Sequence, residues 1–178
     1  MRKLALWACV LASVLGSLGS VAHATLIEAL DMEGLVQRSD AIAVVRVIDQ
    51  QARWGDDGRI LTDVLLEVED RVSGDVPVGE RFILVRMGGA IGDLGMRIEG
   101  EPAFENDARY LVFARRWEGW YRPVGMSQGV MRIDGNRVLP GGAGLSLVRP
   151  NGTPALGPMW RPRALDAVLE DVRSLVGR

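Results

Sequence analysis

Short apolar runs with a period of two, separated by turn sequences, fill the chain from residue 41 to residue 139. In residues 60–70, ILTDVLLEVED, apolar side chains alternate with polar or acidic ones, as in a strand with one face in the core and one in water. Asp134-Gly135 between two apolar runs is a strong hairpin signal. About six or seven short strands without intervening helices favour a sandwich or barrel over alternating strands and helices. The fold class that we predict is mainly β.

Two helices are expected to flank these strands. Residues 31–39 place their apolar side chains on one helical face, and residues 163–177 carry a wider apolar stripe that stops at Gly177. Residues 140–162 are dense in Gly and Pro, which predicts a surface loop with little regular structure. The expected domain is therefore a small, partly open barrel of the oligonucleotide/oligosaccharide-binding (OB) type over residues 25–139. This domain includes a short N-terminal helix, and a C-terminal amphipathic helix packs on it.

The first 24 residues have the three parts of a secretory signal peptide. A basic start, Met1-Arg2-Lys3, leads into an apolar run over residues 4–21, and Ala22-His23-Ala24 supplies a small-x-small cleavage site. An apolar run of about 18 residues could alternatively anchor the chain in a membrane. Gly and Ser weaken the run close to the cleavage site, which favours the signal peptide. We therefore expect a periplasmic or secreted protein with no membrane contact after cleavage.

The residue types missing after residue 24 exclude most common catalytic designs. Cys9, His23 and Lys3 are the only Cys, His and Lys of the chain, and all three lie in the predicted signal peptide. The mature chain thus lacks a disulfide, a Ser-His-Asp triad, a thiol nucleophile, a zinc site of the usual kind and a Schiff-base lysine. We predict no cofactor, no metal and no catalysis. The alternative is a hydrolase that uses only carboxylate, hydroxyl and Arg chemistry.

Charge bears on the expected partner. Beyond residue 24 the chain has 19 Arg against 23 Asp and Glu, a formal charge of −4. Proteins with general nucleic-acid affinity present a net basic face to the phosphate backbone. We therefore expect no nucleic-acid partner.

One segment, RRWEGWYR at residues 115–122, groups aromatic and Arg side chains without an apolar period. These residue types are enriched in recognition hot spots, and aromatic rings can stack on sugars or on peptide side chains. The sequence therefore predicts a hairpin tip that binds a protein or a glycan. Alternatively, the Trp side chains only cap the end of the barrel. The candidate partner-binding residues are Arg115, Arg116, Trp117, Trp120, Tyr121 and Arg122.

A series of motifs over residues 36–133 carries a resemblance to known proteins. The motifs are SDAIAVVRV, ILTDVLLEVEDRVSG, VGERFILV, GGAIGDLG, GEPAFENDARYLVFA and GMSQGVMRI. In this order they resemble uncharacterised secreted bacterial proteins and, more remotely, the netrin-like barrel of tissue inhibitors of metalloproteinases. The resemblance implies an OB-like barrel. Those inhibitors chelate the protease zinc through an N-terminal cysteine, whereas this mature chain would begin Thr25-Leu26-Ile27, so no functional residue is carried over.

The sequence thus favours an exported, non-catalytic binding or interaction module. An inhibitor or accessory chain of an extracellular protease is the first alternative, and the hydrolase described above is the second.

Processing of the precursor gives the first testable prediction. Because the basic, apolar and small-residue elements meet at Ala24, cleavage is expected after that residue. N-terminal sequencing of the exported protein should begin Thr25-Leu26. An uncleaved chain in the inner membrane would contradict the prediction.

Overall fold

The computed structural model describes residues 27–142, 145–155 and 161–177. The predicted signal peptide, residues 1–24, lies outside the described residues. Across the described ranges the chain is mainly β, as the sequence predicts. None of the helices in these ranges has the length and apolarity that crossing a membrane requires.

The elements are named in chain order. The helices are α1 (Met32–Gln37) and α2 (Leu165–Val176), and a 3-10 turn covers Met126–Gly129. The longer strands are β2 (Ala41–Trp54), β3 (Ile60–Ser73), β4 (Arg81–Met87), β7 (Arg109–Trp117), β8 (Trp120–Pro123) and β9 (Val130–Asp134). The short strands are β1 (Ile27–Glu28), β5 (Gly89–Ile91), β6 (Leu94–Met96), β10 (Arg137–Val138), β11 (Leu147–Val148), β12 (Pro154–Ala155) and β13 (Arg163–Ala164).

Five strands close into a ring. β2, β3 and β4 form an antiparallel meander, and β7 returns to pair antiparallel with the other side of β2. β8 folds back on β7 and meets β4 in parallel through the single pair Leu84 and Tyr121. Because one residue pair joins β4 to β8, the ring is only loosely closed along this seam. On the other side, β9, β10 and β13 extend the sheet from β7.

Side chains on the two faces of the ring form two separate hydrophobic clusters. The inner cluster draws on all five ring strands, for example Val45, Leu66, Leu84 and Val112, with Tyr121 packed against it. The outer cluster joins the outward side chains of β2, β7, β9 and β10 to both helices. β2 is therefore buried on both faces over its first half, which explains why its sequence, AIAVV, is continuously apolar.

The C-terminal helix begins two residues later than the sequence predicts. Residues 163–164 pair antiparallel with β10 instead of forming the first helical turn, so α2 begins at Leu165. Val168, Leu169 and Val172 are buried in the outer cluster, which also contains Leu35 of α1. This packing supplies the partner surface that an amphipathic helix of this length requires.

The Gly/Pro-rich segment has more regular structure than its composition suggests. β11 and β12 pair with each other, and β11 pairs in parallel with β1, giving a second small sheet. Leu145 and Leu147 are buried in its core, on either side of the exposed Ser146. Gly152, with φ of 79°, makes the turn that returns β12 along β11. Residues 143–144 and 156–160 of this segment are outside the described ranges.

The packing of α2 generates a stability prediction. Leu169→Asp places a charge in the outer cluster without a partner, so the free energy of unfolding should fall by at least about 3 kcal/mol. Ser174→Asp puts the same charge on an exposed position of the same helix and should cost less than about 1 kcal/mol. Thermal and denaturant unfolding of the two variants measure this difference. If Leu169→Asp had the same free energy of unfolding as wild type, packing of the helix on the sheet would be refuted.

Candidate functional site

The aromatic and Arg residues of the 115–122 segment lie on the β7–β8 hairpin, here called the Trp hairpin. Its turn residues Glu118 and Gly119 have positive φ angles of 49° and 88°, as in a type I′ turn, whose twist suits a two-residue connection. Trp117 faces Trp120 directly across the hairpin. The sequence prediction of a hairpin tip at this position is thus confirmed.

The pleat divides the six candidate residues between two faces. Residues directly opposite one another on paired strands share a face, and successive residues alternate. Arg116 and Tyr121 continue the inner face of the ring. The other four, which continue the outer face of Leu111 and Phe113, are Arg115, Trp117, Trp120 and Arg122.

The two inner-face residues close one end of the ring. Tyr121 packs edge-to-face on Phe82, with ring centroids 5.2 Å apart, and contacts the inner cluster. The Arg116 guanidinium lies 5.5 Å from the Tyr121 ring, and its Nε donates to the Tyr121 hydroxyl at 3.1 Å. The backbone N–H of Arg116 also donates to Asp40 Oδ2 at 2.7 Å. For these two residues the contacts are those of a barrel cap.

On the outer face, guanidinium groups lie over the rings of Trp117 and Trp120. Trp117 and Trp120 are 44% and 42% exposed, a large apolar surface for two adjacent side chains. Arg115 and Arg122 lie 5.5 Å and 5.4 Å from the Trp117 ring centroid. Arg53, from β2, lies 4.9 Å from the Trp120 centroid. Each indole ring is therefore flanked by at least one stacked guanidinium.

A cleft of about 300 Å³, here called the hairpin cleft, separates the Trp hairpin from the loop between β2 and β3. Loop residues 55–59 form one wall, with a turn closed by the Gly58 N–H donating to the Gly55 carbonyl at 3.0 Å. The backbone and guanidinium N–H groups of Arg59 donate to Asp57, which lowers the pKa of that carboxyl. Trp117, Trp120 and the loop thus border the same cleft. The loop side of the hairpin cleft carries the Asp57 carboxylate, which stays ionised at neutral pH.

A larger cleft, of about 750 Å³, lies between the end of β4, residues 96–103, residues 139–142 and Leu145. Glu101 and Arg86 both line it, and within the described ranges Glu101 Oε2 and Arg86 Nε are buried without a hydrogen-bond partner. Burial raises the pKa of Glu101, an effect that the Met87 backbone amide and the Arg122 and Arg86 guanidiniums offset only in part. Burial also lowers the pKa of Arg86, and Glu101 opposes that shift. This cleft therefore holds a carboxyl group that takes up protons more readily than an exposed one.

Sequence reasoning missed Arg53 and Arg86. Arg53 reaches Trp120 only because the ring brings β2 and β8 together over a long sequence separation, so no local pattern could reveal the contact. The sequence did indicate that Arg86 points inward, because it falls on the same period-two face as the buried Leu84. Groups of three or more side chains suited to holding a metal ion are absent from the residues that the structure describes.

Comparisons with protein-family models, with curated proteins and with solved structures give no match to this chain. Its function is therefore inferred from the geometry of its own side chains.

The buried carboxyl of Glu101 gives a prediction on pH dependence. Its pKa is raised in the folded state, so folding takes up a proton, and stability falls as pH rises from the ordinary Glu range through the folded pKa. Glu101→Gln removes this cost and should raise the Tm at neutral pH, but not below the ordinary Glu pKa.

Glu99→Gln is the matched control, because Glu99 lines the same cleft but is exposed. Its Tm should follow that of wild type throughout the pH range. A Glu101→Gln gain that persisted unchanged in acid would show that the effect does not come from ionisation.

Proposed function

We propose that this chain is an exported, non-catalytic binding module built on an OB-like barrel. The five-stranded, loosely closed ring supports this assignment, because the OB fold is a five-stranded, partly open Greek-key barrel. The parallel contact of β4 with β8 gives the strand order β2–β3–β4–β8–β7 around the ring. The netrin-like relationship remains a resemblance of sequence motifs.

The position of the hairpin cleft supports a binding role. OB folds bind ligands on the face of their second and third strands, between the loop that joins strands one and two and the loop that joins strands four and five. In this chain those loops are residues 55–59 and residues 118–119, and both border the hairpin cleft. Leu61 of β3 and Val85 of β4 lie in the cleft between them.

One observation carries the proposal: Trp117 and Trp120 lie directly opposite each other, both nearly half exposed, at the edge of this cleft. Exposed aromatic pairs that do not serve the core mark recognition surfaces. Flat indole faces suit sugar rings and peptide side chains, so the proposed ligand is a glycan or a protein. The mature sequence offers neither His nor Cys as nucleophile or base, which supports binding without catalysis.

Alanine substitution of the paired tryptophans tests the proposal. A glycan array and a pull-down from the exported fraction are to be performed with wild type, Trp117→Ala and Trp120→Ala. Each variant should lose at least about tenfold in affinity for the ligand that wild type retains, because hot-spot aromatics contribute about 2 kcal/mol or more to binding.

Trp54→Ala is the matched control. Trp54 is 50% exposed but does not line the hairpin cleft, so its loss should leave affinity unchanged. Tyr121→Ala should instead lower the Tm, because Tyr121 packs on the inner cluster. The proposed binding face would be wrong if Trp54→Ala weakened binding as much as Trp117→Ala, or if neither hairpin variant affected it.

A further inference from the structure

Two arginines of the Trp hairpin lie opposite each other in an arrangement that costs stability. Arg115 and Arg122 are direct cross-strand partners on the outer face. Like charges at such positions repel, since their Cβ atoms are about 5 Å apart. Within the described ranges, neither guanidinium has a carboxylate within 4.0 Å or a hydrogen-bond acceptor. Arg122 acts on Glu101 only beyond this distance, where it lowers the pKa of that carboxyl, so the two adjacent positive charges have no direct ion-pair partner within the described ranges.

The other stacked arginines near the hairpin are compensated. Arg53 stacks on Trp120, and its Nε donates to Asp63 Oδ2 at 2.8 Å. Arg116 stacks on Tyr121, donates to its hydroxyl and lies 4.0 Å from Asp75. All four arginines thus lie over an aromatic ring. Of the four, only Arg115 and Arg122 lack a hydrogen-bond acceptor within the described ranges.

Both guanidiniums lie over the same indole ring. A guanidinium in such a contact can keep N–H groups free for hydrogen bonds to a ligand. Arg115 and Arg122 both lie on Trp117, and both line a cavity of about 350 Å³ beside the hairpin. This cavity shares Arg122, Val85 and Met87 with the hairpin cleft, so a ligand in the cleft can reach it.

We propose that Arg115 and Arg122 form a clamp for one carboxylate or sulfate group of an acidic glycan. Two guanidiniums can offer paired N–H donors to the oxygens of such a group, which is the geometry in which Arg binds oxyanions most strongly. The bound anion would also relieve the repulsion between the two side chains. The inference rests on the proposed function, because Trp117 and Trp120 would hold the sugar rings next to the clamp.

The opposite side of the hairpin cleft favours a glycan over a nucleic acid. Asp56, Asp57 and Glu118 line the cleft. A nucleic acid carries a charge on every residue, so its backbone would meet these carboxylates and be repelled. Sugar hydroxyls, in contrast, can donate hydrogen bonds to them. A glycan with many hydroxyls and one acidic group therefore matches both the carboxylates of the hairpin cleft and the two arginines of the clamp.

Matched charged and neutral probes test the clamp on the processed chain. An oligosaccharide with a single uronic acid residue and its methyl ester differ only in the carboxylate, and a monosulfated oligosaccharide and its unsulfated parent differ only in the sulfate. Wild type should bind at least one charged probe about tenfold or more tightly than its neutral partner, the expected size of a charge-assisted contact. Arg115→Gln and Arg122→Gln should each remove most of this preference. Which charged probe is preferred distinguishes carboxylate from sulfate.

Arg137→Gln is the control for net charge, since Arg137 is exposed on β10 and outside both clefts. It should keep the wild-type preference. The Tm of Arg115→Gln and of Arg122→Gln should change little, because each change removes both a repulsion and a contact with Trp117.

The possible failures are distinguishable. Equal binding of charged and neutral probes, loss of preference in Arg137→Gln, or tighter binding of a single-stranded DNA oligonucleotide would overturn the clamp while leaving the binding face intact. Absence of binding to both charged probes would also overturn the clamp. Failure of the proposed function would instead appear as charged-probe binding that survives Trp117→Ala and Trp120→Ala.

Discussion

The pairing of β2 with both β3 and β7 is the constraint on which the rest of the structure depends. β2 is the strand that contributes to the inner cluster through residues such as Val45 and to the outer cluster through residues such as Val44. The inner cluster holds the ring closed, and the outer cluster holds both helices on the sheet. A strand buried on both faces must be apolar at successive positions, and its register cannot shift without moving side chains between the two clusters.

The same pairing also positions the candidate site. Register shifts in the β2–β3 ladder between Val47 and Asp49 mark a bulge, beyond which β2 continues along the part of β3 that also pairs with β4. This part of β2 places Arg53 and the 55–59 loop beside the Trp hairpin at the end of β7. The proposed binding face is thus assembled from two hairpins that are distant in sequence, and closure of the ring brings them together.

Local patterns predicted most of the fold. Alternation over residues 60–70 and the Asp134-Gly135 turn identified β3 and the β9–β10 hairpin, because strand and turn signals are local. The composition of residues 140–162 was misleading, since Gly and Pro obscured the alternation of Leu145 and Leu147 that forms a small sheet with β1. Composition averages over a segment, whereas a strand of two residues depends on individual positions.

The sequence singled out six candidate side chains by type but could not assign them to faces. The pleat assigns Arg116 and Tyr121 to the end of the ring and the other four to the outer face. That division depends on which face the ring buries, a long-range property. The partners from elsewhere in the chain, Arg53 on Trp120 and Glu101 beside Arg86, are likewise products of ring closure.

The central claim is that the outer face of the Trp hairpin, and not its inner face, meets the ligand. NMR titration of the ¹⁵N-labelled processed chain with the charged oligosaccharide that wild type prefers tests it directly, because each indole and each Arg Nε–H reports its own surroundings. We expect the signals of Trp117, Trp120, Arg115 and Arg122 to shift while those of Trp54 and Arg116 stay in place. Shifts confined to Trp54 or Arg116, or no shift in either tryptophan of the hairpin, would contradict it.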